Sequence, residues 1–321
     1  MILKSKIVFY DETDFDGNGS KALFEKLNNT KQFVKYIGLN RKMNIYDRFD
    51  KSSKQKTEAV HYLEYIDSIN PVFIDEVVFL DLAPRNIKEA SKLRDILDDN
   101  QKVIIIDHHV MQYSPSDIKG FEYFSHKEDG YPYSATMLTW KYFKKNEEHS
   151  DCPALVKYIN DYDVWDNKFQ PKTNYIKNIF EMIKNEEIND LILMDEKNET
   201  FKAWLKIGEI REESNQKEIS KTLKRLKIVE KDGLKIGVLT GNINQELGSE
   251  IGNRACVEND IDLYAYYYFN EHDEEYSYSL RSLNNEALKY LRSVSKVGGG
   301  HNNACGFRSR YNVLEDFKDV K

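Results

Sequence analysis

The sequence contains no apolar run near the roughly 18 residues that a membrane-spanning helix requires, so no membrane partner is expected. Its start, MILKSKIVFY, has no long apolar stretch followed by small residues; a secretory leader is not expected, and the chain is expected in the cytoplasm. Cysteine is scarce. Cys152, Cys256 and Cys305 are odd in number, scattered and never in C-x-x-C spacing, which fits a reducing compartment and ordinary packing. Excess positive charge is also missing. A formal net charge of -7 disfavours binding to long duplex nucleic acid, whose affinity comes mainly from Lys and Arg neutralising phosphates. Any nucleic-acid partner should be short or held by a local patch. There is no internal repeat.

The length of 321 residues suits two domains with a real hydrophobic core. In the first half, short β-rich runs alternate with helical segments, the pattern of parallel strands with helical crossovers. KIVFY predicts a first strand, then a Gly-containing turn and the helix SKALFEKL; FVKYIGL, EVVFLDLA and KVIIID predict three more strands. Between the last two, Ile87, Ala90, Leu93, Ile96 and Leu97 recur at helical spacing. From Phe201 to about Val229 a highly charged stretch with apolar residues at helical spacing predicts a long exposed connector helix. Beyond it, LKIGVL, DLYAYYYFN and YSYSLRS predict strands of a smaller α/β unit, with Tyr264, Tyr266 and Tyr268 serving core packing.

Four acidic or histidine clusters follow predicted strands or helices: YDETDFDG, FLDLAP, IDHH and INDYDVWD. In a parallel sheet, ligands gather at the carboxyl ends of strands. Asp14 and Asp16 flank Phe15 after the first strand, Asp81 ends another, and His108 with His109 end a third, so these groups can converge on one rim. Several carboxylates so placed repel one another as free anions, and divalent cations relieve that repulsion. Mixed oxygen and imidazole ligands, with no thiolate near any motif, suit Mn, Fe, Co or Zn better than an all-oxygen Mg site does.

The set D-x-D-G, a lone strand-end Asp, D-H-H at Asp107 to His109, and a later Asp on a helix resembles the DHH phosphoesterase family. SLRS at Ser279 to Ser282 and GGGHNNACGF at Gly298 to Phe307 resemble the DHHA1 domain that accompanies many members. NDYDVW is most similar to the group of oligoribonucleases, or nanoRNases, that degrade very short RNA. The resemblance covers nearly the whole chain and implies an α/β fold. A DHH catalytic, metal-binding domain (residues 1–200) with a parallel sheet would be joined by a helical connector (201–229) to a smaller α/β DHHA1 substrate-binding domain (230–321), with a cleft between them.

Carried over residue by residue, the family pattern implies two divalent metal ions, Mn first, with Mg or Co as alternatives. Asp14 and Asp81 would bind one ion; Asp16, Asp81, His108 and Asp161 would bind the other, with Asp81 bridging. Ions roughly 3.5–4 Å apart would polarise one phosphate and lower the pKa of a shared water. The catalytic residues would be Asp107, His108 and His109: Asp107 orients an imidazole, and His109 lines the site toward the phosphate or leaving group. Many members carry a His four residues before the first Asp of D-x-D, where this chain has Tyr10; Glu12 or Asp11 could complete the first site instead. Trp165 reads as helix packing, and His61, His126, His149 and His272 fall outside the matching motifs.

Between Arg281 and Arg310 six basic residues meet one acid, Glu286, a local reversal that suits anion binding. Arg281, Gly298, Gly299, Gly300 and His301 are the candidate substrate-binding residues, because glycines let backbone N–H groups approach a phosphate. Phe307 or a strand tyrosine could stack a base. The expected activity is metal-dependent hydrolysis of short single-stranded RNA to nucleoside monophosphates. The alternatives are a phosphatase of a small nucleotide, such as 3'-phosphoadenosine 5'-phosphate or a linear dinucleotide, and a catalytically disabled nucleotide-binding regulator.

Overall fold

The computed structural model describes residues 5–30, 32–39, 45–50, 55–109, 111, 113–125, 132–145, 152–180, 182, 185–231, 233–271, 274–295 and 298–314; the side chains of 45–60, 185–187, 246, 300 and 301 fall outside that description. The chain divides into two compact units, Met1–Glu212 and Glu213–Lys321.

The first unit runs β1 (Ser5–Asp11), α1 (Phe15–Leu27), β2 (Phe33–Leu39), β3 (Ile45–Asp50), β4 (Gln55–His61), α2 (Tyr62–Ser68), β5 (Ile74–Leu80), α3 (Ile87–Ile96), β6 (Lys102–Ile106), β7 (Phe121–Phe124), α4 (Ala135–Phe143), α5 (Ala154–Asp163), α6 (Lys172–Phe180) and α7 (Asn185–Leu191). Five strands form one sheet in the order β2-β1-β5-β6-β7, and every neighbouring pair is parallel. β3 and β4 make a separate antiparallel pair.

The inner strands β1, β5 and β6 are apolar and buried toward their carboxyl ends because both faces of the sheet are covered there. Val8, Val78, Leu80, Ile104 and Ile106 pack against α1, α4 and α5. Ile7, Phe9, Val77, Phe79 and Ile105 pack on the other face against Tyr62 and Ile66 of α2 and Leu93 of α3. With both faces filled, the strand ends remain for polar groups. The chain runs outward from β1 to β2 on one side and resumes with β5 on the other, so the sheet has its topological switch point between β1 and β5.

The predicted strands lie at β1, β2, β5 and β6. The expected turn at Gly17 and Gly19 is instead the start of α1. These glycines are there for close approach: a Cβ at position 17 would collide with the Asp11 backbone, and one at position 19 would lie 2.6 Å from Ile159 Cδ1 and 2.7 Å from Thr136 Oγ1.

α8 (Glu199–Leu223) carries the chain from the first unit into the second. The connector helix expected to about Val229 stops at Leu223, because Lys227–Lys231 is drawn into the second sheet as β8. That sheet also contains β9 (Leu234–Thr240), β10 (Leu263–Asn270), β11 (Glu275–Arg281), β12 (Gly299–His301) and β13 (Ala304–Ser309), in the order β12-β13-β11-β10-β9-β8. α9 (Gly248–Asn259) and α10 (Glu286–Val294) cover its two faces. Tyr264 and Tyr266 are core residues as expected, whereas Tyr268 is exposed. Among the described residues, no helix is long and apolar enough to cross a membrane.

Candidate metal centre

Asp11 ends β1, Asp81 follows β5 and Asp107 to His109 follow β6, so three neighbouring strands deliver polar groups to one edge at the switch point. Asp81 is fully buried and takes φ +58°, a left-handed conformation that Asp adopts more readily than most residues. Its N–H donates to the Ile106 carbonyl at 2.9 Å, which ties the turn after β5 to the end of β6.

Among the described residues, three groups of His and Asp each bring one ligand atom apiece within 4.8 Å of one another: Asp11, Asp14 and Asp81; Asp16, His108 and Asp163; and Asp81, Asp107, His108 and His109. Asp81 and His108 each belong to two groups, so the three interlock. His108 Nε2 lies 3.5 Å from Asp81 Oδ1, 3.4 Å from Asp163 Oδ2 and 3.8 Å from Asp16 Oδ2. Oxygen and imidazole donors without thiolate fit divalent cations of the Mn, Fe, Co and Zn series. A divalent cation at that point would relieve the crowding of carboxylates around Asp81.

Several of these side chains are held by the helices that begin there. Asp14 caps α1, accepting from the Gly17 N–H at 2.9 Å. Asp16 is buried and accepts from the Ala135 and Thr136 N–H groups at 2.6 and 2.8 Å, so its carboxylate also caps α4. Asp107 Oδ1 lies 2.7 Å from His109 Nδ1 and accepts the His109 N–H at 3.2 Å. Burial pushes the Asp107 carboxyl upward, but its hydrogen bond with His109 and the nearby imidazole charges overcome that and hold it below its ordinary value.

Two of the residues assigned from the sequence sit elsewhere. Asp161, expected as a ligand, lies outside the three groups. Its buried carboxylate accepts from the Lys168 N–H at 2.7 Å, the Phe169 N–H at 3.3 Å and the Thr173 hydroxyl at 2.5 Å. Asp163, two residues on and roughly 200° around the helix, is the one that faces His108. Glu12 is exposed and lies over β2, where a Cβ on Gly38 would collide with it; Asp11 stands in the group instead. Tyr10 is buried in the core, its hydroxyl pushed up to about 12 by burial and by Glu12 and Glu25.

Trp165 does not pack in a helix: it is 64% exposed. His61 is bound to Glu89 at 2.7 Å, away from the groups. His126, His149 and His272 lie outside the described residues.

In the second unit, the Arg281 guanidinium donates to the Leu280 carbonyl at 2.8 Å and to Ser249 Oγ at 3.0 Å. It lies against Gly252, where a Cβ would come 2.7 Å from Arg281 Cγ. Gly298 has φ +130°, and a Cβ there would come within 2.6 Å of the Gly306 carbonyl oxygen, whereas a Cβ on Gly299 meets nothing within 4 Å. Gly299, Gly300 and His301 form β12 along β13; the His301 side chain lies outside the description. Phe307 is buried and stacked on Tyr278, with ring centroids 4.5 Å apart and planes 4° apart, so core packing uses the face expected for a base.

No family model matches the chain. An uncharacterized protein of Acanthamoeba polyphaga mimivirus is 24% identical over 230 residues, which are 67% of this chain and 49% of that protein; the match spans about half of that relative's length. Solved structures that share the fold include DHH-domain proteins. The DHH domain of a member of a family of ribosomal proteins aligns with 94% of this chain and 82% of its own at 12% identity, with a TM-score of 0.56. An exopolyphosphatase-related protein from Bacteroides fragilis aligns with 98% and 89% at 18% identity and 0.51. Exonuclease RecJ bound to manganese aligns with 95% and 86% at 15% identity and 0.51.

Proposed function

We propose that the chain is a divalent-metal-dependent phosphoester hydrolase that acts on short single-stranded oligoribonucleotides and releases nucleoside monophosphates. The observation that carries this reading is the interlocking of three ligand groups through Asp81 and His108 at the switch point of the parallel sheet. In this reading Asp11, Asp14 and Asp81 would hold one ion, and Asp16, His108 and Asp163 would hold a second, with Asp81 beside His108. Bound divalent ions neutralise the carboxylates, polarise a phosphate and lower the pKa of water. The manganese-bound RecJ exonuclease, which shares the fold, supports Mn as the ion.

The chain's own residues supply orientation and proton handling. Asp107 accepts the proton on His109 Nδ1, so the ring is fixed and its Nε2 is the atom available to take or give a proton at the substrate. The amides of α1 and α4 fix the Asp14 and Asp16 side chains, so these groups stand ready in position. In the second unit, Arg281, Gly298 to Gly300 and His301 would take the phosphate of a terminal nucleotide. The sequence concentrates six basic residues against one acid between Arg281 and Arg310 in a chain of net charge -7, a composition that suits a short anion and not a long duplex.

The test is hydrolysis of an end-labelled ladder of short RNAs with Mn²⁺, beside a chelated control, His108→Ala, and 3'-phosphoadenosine 5'-phosphate as a competing substrate. Stepwise loss of the shortest RNAs, abolished by chelator and by His108→Ala, is the expected result. Turnover of the mononucleotide alone would replace the oligonucleotide with a small phosphate ester. Nucleotide binding without turnover at any metal concentration would make the chain a sensor.

A further inference from the structure

The turn after α5 presents a side chain that core packing does not account for. Trp165 stands two residues beyond Asp163 and is 64% exposed, whereas Trp140 is 6% exposed. Its backbone takes φ +56°, where Cβ crowds the following carbonyl and where bulky residues are genuine outliers; Asn167 takes φ +57°. Such conformations persist only where surrounding contacts over-determine them, and they cluster at ligand clamps and active sites.

The contacts that impose it are specific. Asp161 accepts the Asp166 N–H through its carbonyl at 3.1 Å and the Lys168 and Phe169 N–H groups through its carboxylate. The Trp165 N–H donates to the Tyr162 carbonyl at 3.3 Å, and its own carbonyl accepts from Asn167 Nδ2 at 2.9 Å. The main chain on both sides of the indole is therefore fixed, while the indole itself is left in water. A large flat apolar side chain stands on a fixed main chain whose Cα is at most roughly 7 Å, two residues, from that of an aspartate lying 3.4 Å from His108 Nε2.

We infer that Trp165 is a stacking platform for the nucleobase of a nucleotide whose phosphate lies at the Asp163 and His108 side of the metal centre. The inference rests on the phosphoester reading of that centre and adds a substrate class to it. A flat one-sided contact suits a base, because every nucleobase offers a π face, and such stacking tolerates sequence. The platform therefore recognises that a base is present without selecting which one. Asp161 acts through the turn as a positioning residue.

Two measurements test this. Indole emission is titrated with adenosine 5'-monophosphate and with ribose 5-phosphate in Mn²⁺, for the unaltered chain and for Trp165→Phe. Quenching by the nucleotide, none by the sugar phosphate, and loss of the signal in Trp165→Phe are expected. In the second, kcat/KM is compared for a dinucleotide and for the same dinucleotide with one base removed. Trp165→Ala should lower the value for the complete substrate by roughly tenfold to a hundredfold and leave the abasic one unchanged, and Trp165→Phe should restore most of the loss. Equal losses on both substrates, or emission indifferent to the nucleotide, would overturn the platform. Quenching in a chain that cleaves neither substrate would keep the platform and remove the hydrolase reading; cleavage without quenching would do the reverse.

Discussion

Asp161 and Asp163 lie two residues apart on one helix, and replacing each in turn separates a carboxylate that holds a turn from one proposed to hold a metal ion. Asp161 is buried and accepts three hydrogen bonds, two of them at 2.7 Å or shorter. A hydrogen bond to an ionised group contributes roughly 1.5–3 kcal/mol, and a buried donor left without its acceptor costs a similar amount. Because the Phe169 bond is long, Asp161→Ala should cost about 3–5 kcal/mol, carried mainly by the Lys168 N–H and the Thr173 hydroxyl. With a urea slope near 3 kcal/mol per M, the unfolding midpoint should fall by about 1–1.7 M. Asp163 is partly exposed, its side chain at 24% of full accessibility, so Asp163→Asn should leave the midpoint in chelator within a few tenths of 1 M. Calorimetric titration with Mn²⁺ should rank the two in the opposite order, with Asp163→Asn losing affinity most. An Asp161→Ala protein that unfolds in chelator like the unaltered chain, yet no longer binds Mn²⁺, would refute the hydrogen-bonding account of the turn and return the ligand role to Asp161.

Gly17→Ala should destabilise by roughly 1–2 kcal/mol in urea unfolding, because collision with the Asp11 backbone outweighs the helix propensity that alanine gains; a rise in stability would mean α1 moves freely on β1. Asp107 is held below its ordinary 3.8, so its ionised form stabilises the fold above that pH, and the contribution disappears as pH falls through the folded value. Asp107→Asn should accordingly flatten the acid limb of the stability curve measured in chelator, and an unchanged limb would contradict the assignment. Burial pushes the Cys256 thiol up to about 11, so iodoacetamide at pH 8 should modify it roughly a hundredfold more slowly than in the unfolded chain; equal rates in mass-resolved alkylation would show that the packing around α9 is open. Arg281→Ala should raise KM for short RNA while Mn²⁺ affinity stays unchanged, and metal loss in that variant would contradict its assignment to the substrate.

The first sheet was legible because a strand covered on both faces writes itself as a nearly unbroken apolar run: KIVFY and KVIIID announce β1 and β6, and the charged residues at their ends mark the rim. Asp14, Asp16, Asp81 and His108 were legible for the same reason, as polar residues placed where such runs stop. Asp163 was not, because helical phase near a helix end depends on what each turn packs against. The partners that claim Asp161 stand seven, eight and twelve residues ahead, two in an irregular turn and one, Thr173, on α6. One signal was available in the spacing itself, since D-Y-D on a helix puts its two carboxylates on different sides and at most one can face the rim. The glycines of α1 misled for a related reason. Their local preference is for a turn, and only the backbone of β1 and the side chains of α4 and α5, distant in sequence, explain why a helix needs them. Trp165 was read from its helical neighbours, whereas its left-handed backbone places it just beyond their end.

The left-handed turn at Asp81 constrains the drift of this chain over generations. At φ +58° most side chains are penalised, while Asn and Gly, beside Asp itself, are accommodated. Asn also preserves the size and outline of the side chain while removing its charge. A single-base change from an aspartate codon to an asparagine codon is therefore the substitution the backbone resists least and the metal centre resists most. A descendant carrying it would retain the turn and both sheets while losing the carboxylate shared between two groups. On the proposed function, the path from hydrolase to silent nucleotide receptor would be one step long at this position, and selection for turnover would have to guard it without help from selection for folding.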